Sequence, residues 1–378
     1  MHSLHLVHLS TLHRRDDARV FTKEVKTLAE AFSHQVSYIV ADGKGSEFIS
    51  ANLAIHDLGS LKWGRSGRAL LGSYRAFCAI RTNKVHSVHF HDPELIPLSL
   101  LLKLFGYKVI YDVHEDMPPS IMSREWIPAI FRIPMALSMG VLERLAGIVF
   151  DAIVTATPKI GTRFPKNKTV LVQNFPIQSE LVATRSVPYK SRSYAFAYVG
   201  GIQYLRGAKE MVMALEYFQD EFKPVLEMAG EFSPDGFGDT LRTLPAWSSV
   251  NYHGYIGRSE VANLLGGVRA GLVLLHPIPN YLDAYPVKMF EYMAAGLPVI
   301  ASDFPLWRQI VEQSHCGLLG LLVDPLNPEA IANAMRWILE HPTEAAEMGE
   351  RGKKIVEEKY NWDHERTKLT NLYKRLLG

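Results

Sequence analysis

Two carboxylates stand eight residues apart in the stretch DAYPVKMFEYMAAG, Asp283 and Glu291. Pro286 suits the first turn of a helix, where its missing N–H is no loss, and Gly296 suits the residue just past the helix end. Ahead lies the apolar run GLVLLH over 271–276, the mark of a strand buried on both faces; behind lies PVIAS over 298–302. Strand, loop, helix and strand in that order predict one right-handed βαβ unit of a parallel sheet. In such a unit the loop leaving the strand and the first helical turn form the ligand crevice. Free backbone N–H groups and the positive end of the helix dipole attract phosphate there.

Neither acid can hold that phosphate, because like charges repel. Glu291 lies five residues into the helix, about 7.5 Å from its start at the usual rise per residue. That is roughly the span from a diphosphate to a ribose diol, whose hydroxyls a carboxylate accepts bidentately. Asp283, on the other side, would reach hydroxyls of whatever the diphosphate carries. A nucleotide diphosphate sugar fits this arrangement. The spacing alone equally admits Glu291 as a solvated helix residue and Asp283 as a turn former.

The stretch DAYPVKMFEYMAAGLPVIAS resembles the acid–x7–acid signature of retaining glycosyltransferase family 4, and HDPEL and DVHEDMP are similar to bacterial members that build capsule, lipopolysaccharide or exopolysaccharide. The resemblance runs over nearly the whole chain. It implies an α/β GT-B fold: two Rossmann-like doubly wound domains facing a central cleft, with a C-terminal helix crossing back to the N-domain. It further implies that Asp283 contacts the donor sugar, that the loop of Ala284, Tyr285, Pro286 and Val287 contacts the phosphates, and that Glu291 holds the ribose. The first acid of that family is usually Glu, so Asp283 is one methylene short. In the family a second loop, here YVGGIQYLRGAKEM, carries two cations that neutralise the diphosphate. Gly201 occupies the usual arginine position and Arg206 the lysine position, so one cation is missing; Lys288 is the expected replacement, ahead of Lys209. An arginine at 206 can grip phosphate bidentately. Backbone at Tyr255 and Ile256 is expected to frame the nucleobase.

The elements that must position these residues follow from the rest of the chain. Its 378 residues suggest two domains, and 47% hydrophobic against 21% charged residues allows real cores. A formal net charge of +2 gives no reason to invoke nucleic acid. The charge divides as +5 up to residue 180 and −3 after it, in keeping with an anionic acceptor or lipid facing the first half. Cys78 and Cys316 lack metal or redox spacing, so reduced thiols and no zinc site are expected. No signal peptide and no apolar run of membrane-spanning length stand out, which places the chain in the cytoplasm, with peripheral contact to the inner membrane as an option. Strands are predicted over 4–9, 36–41, 87–91, 108–111, 152–155 and 169–173, then over 194–199, 224–230 and 250–255. A linker is read over 177–193. The expected domains are therefore 1–180 for the acceptor, 181–360 for the nucleotide sugar, and 361–378 as the crossover helix.

In the first half, Asp17, Arg19 and Lys23 follow the first strand and are expected to face the cleft and meet acceptor or phosphate; capping and helix ion pairs are the alternative. His89 and His91 share one face of a strand, and the family often uses a histidine here for acceptor or donor phosphate. His91 is preferred, being nearer the strand's end. His114 and Glu115 follow the neighbouring strand and complete the expected acceptor pocket. A basic helix over 61–84, with Trp63, Arg65, Arg68, Arg75 and Arg81, reads as a membrane-surface helix or as a solvated face. The apolar stretch 117–150 reads as a dock for a membrane or lipid-linked acceptor, or as a flap packed on the N-domain.

Glycosyl transfer releases a nucleotide diphosphate while positive charge builds on the sugar, so fixed cations and helix amides aimed at the leaving phosphate should dominate. The expected catalytic set is His91, Arg206 and Asp283. No metal and no cofactor are expected, as in the family, and no DxD-type acid cluster stands out. With no clear covalent nucleophile, same-face attack on a UDP-sugar (GDP-mannose second) by a glycan or polyprenyl-diphosphate-linked acceptor is the preferred route; Asp283 as nucleophile is the other. A sugar-nucleotide epimerase or a non-catalytic nucleotide-sugar-binding subunit would share these features. A dinucleotide oxidoreductase is disfavoured, since no GxGxxG follows the first strand.

Overall fold

The structure, a computed structural model, describes residues 4–61, 64–124, 126–184, 187–218, 222–313 and 317–378, except the side chains of 64–66, 68 and 313. Trp63 and Cys316, and the side chains of Arg65 and Arg68, lie outside the described residues.

The chain forms two compact units, Met1–Asn174 with Asp363–Gly378, and Phe175–Trp362. Among the described residues the first unit carries β1 (His5–Leu9), β2 (Gln35–Val40), β3 (Glu47–Ser50), β4 (Leu53–Asp57), β5 (Ser87–Phe90), β6 (Lys108–Val113), β7 (Ala152–Thr155) and β8 (Thr169–Leu171). They make one sheet in the order β3-β4-β2-β1-β5-β6-β7-β8, parallel except for the β3–β4 pair. The strands β3 and β4 have no counterpart in the sequence reading. All four side chains of β3 are exposed, so it carries no buried pattern to read.

The second unit carries β9 (Ala195–Val199), β10 (Val225–Ala229), β11 (Val250–Gly254), β12 (Ala270–Val273) and β13 (Val299–Ser302). A two-residue antiparallel ladder, β14 (Glu312–Gln313) with β15 (Gly317–Leu318), precedes β16 (Gly320–Val323). The order β11-β10-β9-β12-β13-β16 is parallel throughout, and β9, β12 and β13 bury nearly every side chain. Both-face burial is what a parallel sheet covered by helices requires. Two mixed α/β units of this kind are the two Rossmann-like domains of the GT-B fold.

The unit boundary falls earlier than the expected 180. Phe175 packs edge-on to Phe290 and against Tyr360, and Leu181 is buried in the same cluster, so residues 175–193 are part of the second unit and not a free linker. At the other end, Leu369, Leu372 and Tyr373 of the helix Trp362–Leu377 are buried in the first unit, where Glu365 accepts the Gln173 N–H at 2.9 Å. The chain crosses between the units twice, after Asn174 and after Trp362.

Candidate active site

In the second unit β9 runs into Gly200 and Gly201, and β12 runs through a loop into the helix Val287–Ala294. That helix packs through Met289, Phe290, Tyr292 and Met293, all fully buried, and the Tyr292 hydroxyl accepts the Val199 N–H at 2.9 Å. The end of β9 is thereby tied to the helix. Gly207 (φ +71°) lies where any Cβ would stand 2.1 Å from the Leu274 carbonyl. Only glycine permits that approach, and it lets the His276 N–H reach the Leu205 carbonyl at 2.9 Å, which clamps the turn of Arg206 onto the β12 loop.

The result is a cluster of cations around two glycines. A Cβ on Gly200 (φ +127°) would meet Lys288 Nζ at 3.3 Å, and one on Gly201 would meet Arg206 Nη1 at 3.4 Å. Lys288 Nζ is out of solvent contact, sits 3.7 Å from the Tyr198 ring centroid, and has no hydrogen-bond acceptor. Burial and the neighbouring Arg206 charge hold its pKa well below the usual lysine range, against a weaker pull from Glu291. A buried ammonium without an acceptor is costly. Lys288 stands in the first turn of the helix Val287–Ala294, the end where backbone N–H groups are left over by the helical pattern. Lys288 and Arg206 thus bring two cations to the Gly200–Gly201 turn, beside the positive end of this helix.

Glu291 lies one turn further along. Its Oε1 receives Arg258 Nη1 at 2.8 Å, and Arg258 Nε donates to Glu180 at 3.1 Å. Arg258 opens the helix Arg258–Leu265 two residues after Ile256, so Glu291 and the Tyr255–Ile256 backbone share one edge. Ile256 packs on the core while Tyr255 is 65% exposed. Arg258 and Glu180 were not legible as site residues. An ion-pair partner brought from another element leaves no local spacing. Asp283 is exposed at the C-cap of the short helix Pro279–Leu282; Ala284 O accepts the buried Trp307 indole at 2.8 Å, and Tyr285 stacks near Phe290. Gly201, Arg206, Lys288 and Glu291 therefore come together, with the loop of Asp283, Ala284, Tyr285, Pro286 and Val287 leading into them.

The first unit holds a second cluster. Parallel register sets His8 beside His89, and His91 follows on the same face; the rings of His8 and His89 lie 4.5 Å apart and those of His89 and His91 4.9 Å apart. His8 Nδ1 and His91 Nε2 are 3.0 Å apart, and His91 Nδ1 is 3.3 Å from His114 Nε2. Tyr373 Oη reaches His89 Nδ1 at 3.1 Å and His8 Nε2 at 3.3 Å. Burial drives the pKa of His8, His89 and His91 well below the usual imidazole range. Burial also works against charge on His13, but Asp92, 3.1 Å away, overcomes it and raises that pKa.

Here the structure corrects two expectations. Arg19 is buried: Nη2 donates to Asp112 Oδ1 at 2.9 Å, Nε lies 3.2 Å from Glu24 Oε1, and Nη1 donates to the Val172 carbonyl. Its guanidinium is consumed by these partners and does not line a pocket. Asp17 caps the following helix by accepting the N–H groups of Arg19 and Val20. Lys23 donates to Asn174 Oδ1 at 2.6 Å. Ligand atoms of Glu24, His89, His91 and Asp112 do lie within 4.8 Å of one another, a spacing a metal ion could use. Arg19 meets both carboxylates of that set and already supplies a positive charge there. Removing one member of a buried ion pair typically costs about 3–5 kcal/mol. Arg19→Ala should therefore lower the unfolding free energy of the chain by about that much in urea titration, and a loss below about 1 kcal/mol would contradict this structural role.

His91, His114 and Glu115 line a pocket of about 570 Å³ within the first unit. Its polar end is His13, His91, Asp92 and His114; its other end is apolar, with Met117, Ile121, Trp126, Ile127, Met135 and Met139. Asp92 is itself fully engaged, accepting the Thr11 N–H at 2.6 Å and the Ser10 hydroxyl at 3.0 Å.

Comparison with known proteins bears on the fold and on the second unit. Residues 184–355, a little under half of the chain and all within the second unit, match the family described as "Glycosyl transferases group 1". D-rhamnosyltransferase WbpZ of Pseudomonas aeruginosa is 27% identical over 154 residues, 41% of this chain and 38% of its own length. The chain thus spans well under half of that relative. Among solved structures, sucrose-phosphate synthase from Thermosynechococcus elongatus superposes with a TM-score of 0.79 at 16% identity, covering 99% of both chains. Anabaena Alr3699/HepE in complex with UDP-glucose does so with a TM-score of 0.70 at 12% identity, covering 98% of this chain and 100% of its own. The fold is the one these GT-B glycosyltransferases share.

Proposed function

We propose that this protein is a retaining, metal-independent glycosyltransferase that moves a sugar from a nucleotide diphosphate sugar to a glycan or lipid-linked glycan in surface polysaccharide biosynthesis. The observation that carries the reading is the buried Lys288 ammonium with no acceptor, beside Arg206 and the open end of a helix. A diphosphate there would satisfy every one of these groups at once, and its departure from the sugar is the step they would stabilise. Glu291, with one oxygen held by Arg258, would accept a ribose diol. Solved neighbours that hold UDP or UDP-glucose support a uridine donor, with GDP-mannose second. The acceptor belongs in the pocket lined by His91, His114 and Glu115. Same-face attack fits the absence of a well-placed covalent nucleophile among the described residues, the leaving phosphate oxygen taking the acceptor's proton. Asp283, on the exposed loop, orients the donor sugar.

The test is calorimetric binding of UDP to wild type and to Glu291→Ala. Loss of a charged hydrogen-bond acceptor to two hydroxyls should weaken UDP by about 1.5–3 kcal/mol, or roughly 10- to 150-fold, and raise the donor KM in step. Equal affinities would remove Glu291 from the ribose. Activity surviving EDTA is the matching expectation for the absence of metal.

A further inference from the structure

The helix Ala129–Val149 of the first unit is built the wrong way round for a water-facing surface. Ile130, Leu137, Val141 and Ile148 are 77%, 67%, 64% and 66% exposed. Their spacing (0, 7, 11 and 18 residues) puts them on one line along the helix, about 27 Å long at the usual rise. Phe131, Ile133, Met135 and Leu145 are also exposed and widen the stripe. Its charges are equally one-sided. The helix's single acid, Glu143, is buried and paired with Arg163 at 2.5 Å, whereas Arg144 is exposed and Arg132 half-buried. Trp126 and Met122, 53% and 43% exposed, stand just before the helix. An aromatic at the end of an apolar stripe with cations and no acid is the make-up of an element lying in a lipid interface. No helix among the described residues is long and apolar enough to cross a membrane, so lipid contact through this face means seating in the plane.

We infer that this face docks on an anionic lipid surface. A second copy of the chain fits less well, because the face offers no acid to meet Arg144 of a partner. Met135 lies on this same helix and also lines the apolar end of the 570 Å³ pocket. A hydrocarbon chain leaving that pocket would run directly into the docked leaflet, so the acceptor drawn from it is an amphiphile with its hydroxyl-bearing head at His91 and His114. That last step rests on the acceptor-site reading above; the docking does not.

The experiment is sedimentation of the full chain with vesicles of phosphatidylcholine alone and with phosphatidylglycerol added. Binding should be about tenfold or more stronger with the anionic lipid. A variant carrying Ile130→Glu, Leu137→Glu and Ile148→Glu, all at exposed positions, should stay in the supernatant while keeping the wild-type UDP affinity. Wild type that remains in solution with anionic vesicles overturns the inference, as does a variant that sediments like wild type. Light scattering that finds a dimer dissolved by the variant, with no vesicle binding, assigns the face to a second copy and overturns it too. Because UDP affinity is read in the same variant, failure here is separable from failure of the transferase reading.

Discussion

Arg206→Ala should lower kcat by about a hundred- to a thousand-fold in a protein that stays folded, the range seen when one charge-stabilising donor is removed from a transition state. The magnitude follows from the local count of cations. Glycine stands at 201, so Arg206 and Lys288 are the cations nearest the glycine loop among the described residues, and negative charge on the departing diphosphate grows as the sugar bond breaks. Lys288 cannot compensate by moving, because it is already packed against the Tyr198 ring. The fold should survive, since the turn is held by Gly207 and the Leu205–His276 backbone hydrogen bond. Arg206→Lys should recover part of the loss by restoring charge without the bidentate grip. Steady-state kinetics on the three proteins decides it. Near wild-type turnover in the alanine variant removes Arg206 from the leaving group.

The largest effect on stability should come from acid. His8, His89 and His91 are fully buried and held neutral, so the folded state resists protons that the unfolded chain accepts below about pH 6.5. Stability is therefore complete above that pH and is lost as the pH falls through it, by about 1.4 kcal/mol per pH unit for each such group. Glu24 acts in the opposite sense. Burial and Asp112 raise its pKa against Arg19, so folding takes up one proton there above the unfolded carboxyl range. Three protons against one leave about 3 kcal/mol per unit, enough to use up an ordinary folding free energy within roughly two to three units. His13, with its pKa raised, binds its proton in both states below pH 6.5 and does not change this slope. Urea unfolding at pH 7.5, 6.5 and 5.5 should show little change over the first step and a fall of about 2 kcal/mol over the second, where the unfolded histidines pass from half to nearly full protonation. His8→Gln should flatten that fall by one proton; a pH-independent midpoint would contradict the neutral cluster.

What could be read in the sequence was whatever a single segment encodes. The buried strands of the second sheet are continuous apolar runs, and the helix at 287 has proline at its start and glycine past its end, so the βαβ frame and the convergence of Gly201, Arg206, Lys288 and Glu291 were accessible from spacing and resemblance. Partners supplied by distant elements were not. Arg258 reaches Glu291 from another helix, and nothing near either residue announces it. Arg19 and Asp17 look like site residues on a loop after a strand; only tertiary structure shows that one is spent on Asp112 and Glu24 and the other on a helix end. The strand β3 escaped because an exposed edge strand has no alternation to betray it, and β4, whose Leu53 and Ile55 are buried, is too short to stand out. The domain boundary slipped for a similar reason: residues 175–193 have few periodic features but anchor through Phe175 and Leu181.

The most direct measurement is a crystal structure of the protein soaked with UDP. Expected is a diphosphate within hydrogen-bond distance of Lys288 Nζ, Arg206 and the first-turn amides of the helix Val287–Ala294, with both ribose hydroxyls on Glu291. Nucleotide bound elsewhere, with Lys288 Nζ still lacking an acceptor and Glu291 meeting only Arg258, would contradict the central claim.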